Sequence, residues 1–523
     1  MIQKSLAGRE QFKLLIRPVS AQRPEFLIYK ANSIIWSYFY CLQNKHIQRH
    51  FLIHPNHHLR LSTALLIQRA GQLCEFTKRH DLIFNGGKQV TIATDSYIRP
   101  DKASLLARFQ DPACKHVVSE ANKEVINRMR QSRPLLVGTG KARDHIPGMK
   151  ENTVLHAGPP LTWKDANAAL RGAIIGGLIF EGLAKNKDEA MSLARSGKIE
   201  LACCHDHSAV GPMAGIITSS MSVFIMEDQT SGERFYSNIS DDLGDHLDSS
   251  LRFGVYEQRA IDHLYWIEEV LAPALNAAIV EAGDVDMVPI IGHALMMGDN
   301  CHVTLSAASL LFLKELTPGL IKHSKNSDNL LKIMNLIHND ALFALNPVMA
   351  TCKAISAAGS NVDHSSIVTV MARNGTEFGL KVSGLGDQWF TGISAIGQGV
   401  LASGLAVSDV GRDIGDSAIT ETLGLGGVAK SIFGSVEEVK NITEEMYQVT
   451  YSESEDFRIP GLNGRGAPLG FDILKIVELG IRPLVNTGLV NRQMNKYSAG
   501  VGYLYPPMDV FVDAVMNLNE RYE

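Results

Sequence analysis

Five polar stretches carry residue types that could move protons or hold anions. His156-Ala-Gly-Pro-Pro160 follows the apolar step Val154-Leu155. Gly-Pro-Pro forces a turn, which sets His156 at a strand end as a candidate proton-transfer group or a turn-fixing one. Cys204-His205-Asp206-His207 leads into Gly211-Pro-Met-Ala-Gly215. On a strand, His205 and His207 would point the same way, as a metal pair can. A tetrahedral site needs two more ligands, and Asp299 and His302, spaced as on one helical face, are candidates. Nothing in the sequence brings the four together. Hydrogen-bonded turn residues are the plainer reading, so no metal is assigned. Cys203 and Cys204 are adjacent, with no specific support for a nucleophile.

Arg373-Asn374-Gly-Thr-Glu377 reads as a tight hairpin with a type I′ turn at Asn374-Gly375. Arg373 could hold a carboxylate or phosphate through two nitrogens, or pair with a nearby acid. Ser383-Gly384-Leu-Gly386-Asp387-Gln-Trp389 reads as a glycine turn opening a buried helix, whose N–H groups would seat an anion. Asp413-Ile-Gly-Asp416-Ser417-Ala-Ile-Thr-Glu421-Thr422 packs three acids and three hydroxyls into ten residues. Asp416 would cap a helix there. An acid-bearing, glycine-lined helix start can also orient a polar substrate. Arg465 and Asn486 complete the candidate polar contacts. No GxxxxGK[ST] occurs, and no convincing GxGxxG follows a strand, so no nucleotide site and no cofactor are read.

The elements that must position these residues mix without a βαβ rhythm. Helical patterns cover 118–132, 163–196, 252–282 (broken near Pro273) and 328–358. Strand patterns cover 134–137, 199–202, 223–226, 367–371, 377–382 and 484–486. The class is therefore α+β or irregular α/β, with mixed sheets packed on long helices and a glycine-rich C-terminal half. Thirteen glycines fall in 371–430 against four in 1–100, which means tight turns and close backbone approach. The longest uncharged stretch, Gln388–Ser408, is only about half apolar, so it reads as a buried small-residue helix rather than a membrane span.

Of the 523 residues, 45% are hydrophobic and 20% charged, which excludes a disordered chain or a rod. A net charge of −5 excludes a general nucleic-acid binder. Seven cysteines without a CxxC pair fit a reducing, cytoplasmic setting. Residues 1–100 stand apart, with 14 Lys+Arg against 5 Asp+Glu and six His, while the remainder holds 36 against 50. The organisation expected is a basic extension over 1–95, an N-terminal part over 96–290, and a glycine-rich part over 291–523 with most polar motifs. The extension is expected to be poorly ordered, or translated from upstream of the true start, rather than a basic arm touching RNA, lipid or an acidic partner. Against an upstream start, no Met lies between Met1 and Met129.

Five motifs in order resemble one bacterial family, AllG/YlbE/YahG. They are His156-Ala-Gly-Pro-Pro160, Val210-Gly-Pro-Met-Ala-Gly215, Met371-Ala-Arg-Asn-Gly-Thr-Glu-Phe-Gly379, the 413–422 acid cluster and Val485-Asn-Thr-Gly488. The resemblance spans about 115–515. It implies a subunit of an oxamate carbamoyltransferase, working with FdrA/AllF-like and AllH-like subunits or as a homodimer. That reaction exchanges carbamoyl phosphate and oxamate with oxalurate and phosphate, in allantoin breakdown. It implies neither nucleic acid nor membrane as partner. A non-catalytic subunit, or a paralogue acting on another small anion, is the alternative.

Tetrahedral carbamoyl chemistry needs cationic and N–H donors and a site closed to water. On that basis His156, His205 and Glu421 are the candidate proton-transfer groups. Arg373, Asn374, Gly384, Gly386, Asp387, Asp413, Asp416, Ser417, Arg465 and Asn486 are the candidate substrate contacts. Two departures stand out. The family's Gly-Asp-Glu-x-His-Asn-Arg is Gly298-Asp-Asn-Cys-His-Val-Thr304 here, and the segment from Ser240 to Asp248 is replaced.

Deleting residues 1–95 is expected to shift the unfolding midpoint no more than one surface substitution does. Thermal unfolding of the truncated chain checks this, and loss of soluble protein would contradict it.

Overall fold

The computed structural model describes residues 102–243, 250–430 and 436–522. The extension expected over 1–95 lies outside these residues, as does the 244–248 part of the replaced Ser240–Asp248 segment. The described residues belong to the unit Ile98–Glu523.

The first long helix, Pro112–Gln131, shows why the local sequence folds as it does. Asp111 caps it by accepting the Ala113 and Cys114 N–H groups, and proline occupies its first turn. Val118, Val125, Ile126 and Met129 line its buried face. Pro134 follows and opens the strand Pro134–Lys141.

That strand lies in a five-stranded mixed sheet of order 209–210, 234–238, 222–228, 134–141, 285–286. A second, antiparallel sheet has the order 390–393, 377–382, 368–374, 414–415. A small mixed sheet sets Thr153–His156 between Glu200–Cys203, parallel to it, and Ile216–Thr218, antiparallel. An antiparallel triplet and the hairpin of Thr450–Ile459 with Arg465–Phe471 complete the strands. With the helices between them, this is an α+β fold.

The helix Leu345–Ala358 packs on both larger sheets and is buried from Leu345 to Ser356. Behind it, Phe224 stacks edge-on to Phe312 at 6.2 Å, and Phe343 packs on Phe312 at 6.3 Å. Burying each such ring stabilises the fold by about 1.5–3 kcal/mol.

Most elements fall where the sequence puts them, and the exceptions have physical reasons. The 163–196 pattern is two helices, Ala168–Phe180 and Lys187–Arg195, parted at Gly182 with φ +70°. The 252–282 pattern contains a π-helical turn, Ile267–Leu271, just before Pro273. Gln388–Ser408 is not a helix. It holds the strands Phe390–Ile393 and Gln398–Leu401, and Ile393, Val400 and Val407 are exposed. Gly392, Gly397, Gly399 and Gly404 each cost a helix about 1 kcal/mol. The close approach they permit is between strands, with Gly399 against the Val501–Gly502 backbone. No helix therefore follows Ser383–Gly386, and the expected anion seat at a helix start is not formed.

The hairpin between Val368–Asn374 and Glu377–Val382 is present, but its turn is not type I′. Phe378 pairs with Arg373, so four residues form the loop. Gly375 has φ +86°, whereas Asn374 is not in the left-handed region. The Asn374 side chain does the turning instead, as Oδ1 accepts from the N–H groups of Thr376 and Glu377. A methyl group at Gly375 would also run into the Asn167 side chain. Gly375→Val is accordingly expected to destabilise the chain by roughly 1–3 kcal/mol, measured by urea unfolding.

Candidate functional site

His156 ends its strand and lies opposite Cys203 in the parallel pair. After Cys203 the chain enters a single 3-10 turn, Cys204–His207, rather than continuing as a strand. His205 and His207 therefore do not point the same way. His205 turns into the interior, whereas His207 bonds the Pro147 carbonyl nearer the surface. Asp299 accepts from the Ala308 N–H, and His302 bonds Glu421 at 2.8 Å. Three of the four residues weighed as metal ligands thus have separate partners, and the His205 ring bonds none of them. Among the described residues no three His, Cys, Asp or Glu side chains gather as a metal set.

Asp416 is the centre of the cluster that does form. It does not cap the short helical turn that follows it. Its side chain, wholly buried, accepts from Gly158 N–H at 2.7 Å and from Gly211 N–H at 2.9 Å. The Gly-Pro turn after His156 and the Gly211–Gly215 loop are both tied to the end of the strand Ile414–Gly415. Gly158 has φ +84°, and any side chain there would meet the Arg373–Asn374 backbone. Asn374 closes the contact by donating to the Pro159 carbonyl at 3.0 Å.

Arg373 is wholly buried, and each of its three nitrogens has an internal acceptor. Nε donates to Asp413, Nη1 to the Gly415 carbonyl at 2.7 Å, and Nη2 to Thr487 Oγ1 at 3.2 Å. Thr487 in turn donates to Asp413. Glu421 is similarly occupied. Its carboxylate accepts from His302 Nδ1 and from the N–H groups of Gly427, Val428 and Asn486. Asn486 receives the Asn300 amide on Oδ1. Ser417 is buried beside Asp416.

Other candidates lie apart from these. Arg465 pairs with Glu453 and Glu444 and stacks on Tyr447. Gly384 packs on the Ser365 backbone. Gly386 has φ +65°, and Asp387 is exposed, 3.6 Å from Lys381.

The histidines differ from saturated Arg373 and Glu421, and Asn486 also keeps a buried Nδ2 without a partner. His156 donates from Nδ1 to the Ala157 carbonyl, which leaves Nε2 unprotonated. Among the described residues neither His156 Nε2 nor either ring nitrogen of His205 has a hydrogen bond. His205 Nε2 stands 3.4 Å from Asp416 Oδ1 without hydrogen-bond geometry.

The structure adds residues that the motif reading passed over. Lys353, from the buried helix, donates to the His205 carbonyl at 3.3 Å. Lys381 pairs with Asp206 at 2.7 Å and lies 5.0 Å from the Trp389 ring centre. Trp389 donates to Asp206 and sets its ring edge-on to His205 at 6.0 Å. Asp206 and half-buried Trp389 form the solvent-facing side of the cluster. One signal for Lys353 was available: it is the sole charge in fourteen residues of apolar helix.

Burial dominates the electrostatics. It pushes the Asp416 carboxyl up to about 7, against the two N–H bonds and the charges of Arg373 and Lys353. It holds His205 well below its ordinary value, and Lys353 and Lys381 push the same way. His156 is lowered too, partly offset by its bond to Ala157 and by Asp206. Lys353 comes down to about 8. Cys203 and Cys204 are pushed up by burial, so both stay thiols. At neutral pH the cluster therefore holds two neutral imidazoles beside an ammonium. A cavity of about 260 Å³ opens elsewhere, between Arg130 and Ser454–Phe457, and none of these residues lines it.

The family described as "Oxamate carbamoyltransferase subunit AllG" matches residues 199–417. Escherichia coli (strain K12) AllG, named as an oxamate carbamoyltransferase subunit, is 35% identical over 77% of this chain and 98% of its own length. The chain belongs to the AllG family. YahG of the same organism, named as an uncharacterized protein, is 38% identical over 80% of this chain and 89% of its own length. A crystal structure of a conserved protein of unknown function from Enterococcus faecalis V583 superposes with a TM-score of 0.76. It is 38% identical and covers 78% of this chain and 99% of its own. The AllG match takes in the Cys204–His207 turn, Lys353, Arg373 and Asp416. Among the described residues, no helix is long and apolar enough to cross a membrane.

The Asp416 proton gives this cluster a signature in stability against pH. From about pH 4 to about pH 7 the unfolded chain has released that proton while the folded chain keeps it. Through this group, stability falls as pH rises across that window and is level above it. Asp416→Asn should remove the slope. Its stability relative to the parent chain should rise by up to roughly 1.4 kcal/mol per pH unit between pH 4 and 7, read from urea midpoints.

Proposed function

We propose that this chain is a subunit of an oxamate carbamoyltransferase-type complex, with FdrA/AllF-like and AllH-like partners. In that complex a carbamoyl group passes between carbamoyl phosphate and oxamate, giving oxalurate and phosphate, in allantoin breakdown. The match to AllG over 98% of that protein's length carries the reading. The cluster around Asp416 agrees with it in kind. The substrates are small anions, and the carbamoyl centre must be kept from water.

In this reading the oxamate nitrogen bonds the carbamoyl carbon, and the bond from that carbon to the phosphate oxygen breaks. The nitrogen loses one proton, which ends on the departing phosphate. A neutral His205 with a free ring nitrogen suits that transfer. His156 Nε2 is a second free base within the same buried shell. Asp416 holds the Gly158 and Gly211 backbones in place. Arg373, Asp413, Asn374 and Glu421 position segments rather than meet substrate, because their polar atoms are already bonded.

That saturation also supports a second reading, in which the chain is a non-catalytic scaffold or a paralogue serving another small anion. The His205→Gln variant, assembled with its partner subunits, separates them. If His205 moves the proton, kcat for oxalurate phosphorolysis should drop about 10²–10⁴-fold with the thermal midpoint kept. A scaffold would keep kcat.

A further inference from the structure

Lys353 is the one cation of the cluster that has no acid bonded to it. Lys381 is paired with Asp206, and Arg373 with Asp413. The Lys353 ammonium makes one hydrogen bond, to the His205 carbonyl, and no carboxylate pairs with it among the described residues. Its residue is 8% exposed, in a helix otherwise without charge. A buried cation without a counter-ion is costly, and a methionine of the same length would pack there without that cost. Three of an ammonium's features then matter: a compact charge, several donors, and only one of them in use.

What surrounds it defines what it could receive. His205, whose backbone carbonyl Lys353 bonds, has two ring nitrogens without hydrogen bonds, and His156, paired across the strands with Cys203, has a third. Asp206, Asp416 and Lys381 are near enough for their charges to act on Lys353. The two imidazoles are neutral and add no charge: His205 can donate to an anion's oxygen or accept its proton, whereas His156 Nε2 can only accept. An incoming anion would pair the last uncompensated cation.

We propose that Lys353 seats one charged oxygen, phosphate or carboxylate, of the anionic substrate at the His205–Asp416 cluster. This rests on the reading of that cluster as the substrate site. A lysine can also serve as a nucleophile, but that role needs the neutral amine, and Lys353, brought down to about 8, is still mostly the ammonium at neutral pH. Charge pairing needs only an oxygen within hydrogen-bond reach.

The test uses the full chain, alone and with its partner subunits, and two probes: inorganic phosphate and oxamate. Lys353→Met keeps the side-chain length and removes the charge. The seat predicts that binding of one or both probes weakens about tenfold to a hundredfold, the usual loss for a hydrogen bond to a charged group. The thermal midpoint should stay or rise. A lysine that only holds structure predicts a lower midpoint and unchanged binding.

In the complex, the KM for phosphate rises in oxalurate phosphorolysis if the seat takes phosphate. The KM for oxamate rises in the reverse direction if it takes the carboxylate. Equal affinity of parent and variant for both probes overturns the proposal, and so does no binding of either probe to the parent. Lys353-dependent binding in a complex without turnover keeps the seat and removes the carbamoyl-transfer reading. Turnover with both KM values unchanged in Lys353→Met does the reverse.

Discussion

The Asp416 carboxylate is the point on which the candidate site hangs. Its two oxygens accept backbone N–H groups from Gly158 and Gly211, which the chain delivers from two different loops. A carboxylate stripped of water is costly unless such donors replace its hydration. Here the donors are backbone groups, so satisfying the acid also fixes where both loops run. The first loop carries His156 and the second follows the turn that carries His205. The strand Ile414–Gly415 pairs with Arg373–Asn374, and Arg373 returns a bond to the Gly415 carbonyl. The position of each histidine is thus set through the same acid.

Buried polar groups in this chain fall into two sorts. Glu421, Asp413 and Arg373 have their polar atoms taken by neighbours, and Glu268 is bonded by Lys141 and Ser222. Groups of this sort hold segments together, and removing one partner would strand the other. His156, His205 and Lys353 keep unused bonding capacity in the same dry interior. Folding alone gives no reason to retain that capacity, since each such group lowers stability. Where several gather within reach of one another, a ligand or a reaction is the usual reason.

The fold was largely legible because its signals are local. The helical pattern over 118–132, the Asn374-Gly375 step between two strand patterns and the apolar step before His156 each name an element without knowledge of the rest. The site was legible in part. His156, His205 and Asp416 were picked from motifs, but the way Asp416 ties two loops together was not. Capping was the natural reading of Asp416 beside Ser417 and Thr420, and only the fold brings Gly158 and Gly211 to it. Gln388–Ser408 misled because lack of charge suggests burial, while its glycines and β-branched residues form strands with an exposed face. Lys353 was missed because a single lysine carries no motif. Its meaning comes from burial and from the lack of an acid beside it, and both are tertiary facts.

The altered central segment bears on Glu421 rather than on Asp416. Asn300 Oδ1 accepts from the N–H groups of His302, Val303 and Thr304, while its amide nitrogen donates to Asn486 Oδ1 at 3.0 Å. A glutamate could take the N–H groups but could not donate to Asn486. It would also bring a second negative charge to a loop whose His302 already bonds buried Glu421. The amide therefore suits this neighbourhood, in which one acid gathers four donors. None of the Asn300 bonds reaches His205, Lys353 or Asp416. A change there can shift how the 298–304 loop seats against the strand Val485–Leu489 while the His205 cluster keeps its geometry. The departure from the family pattern is thus compatible with retained chemistry at that cluster.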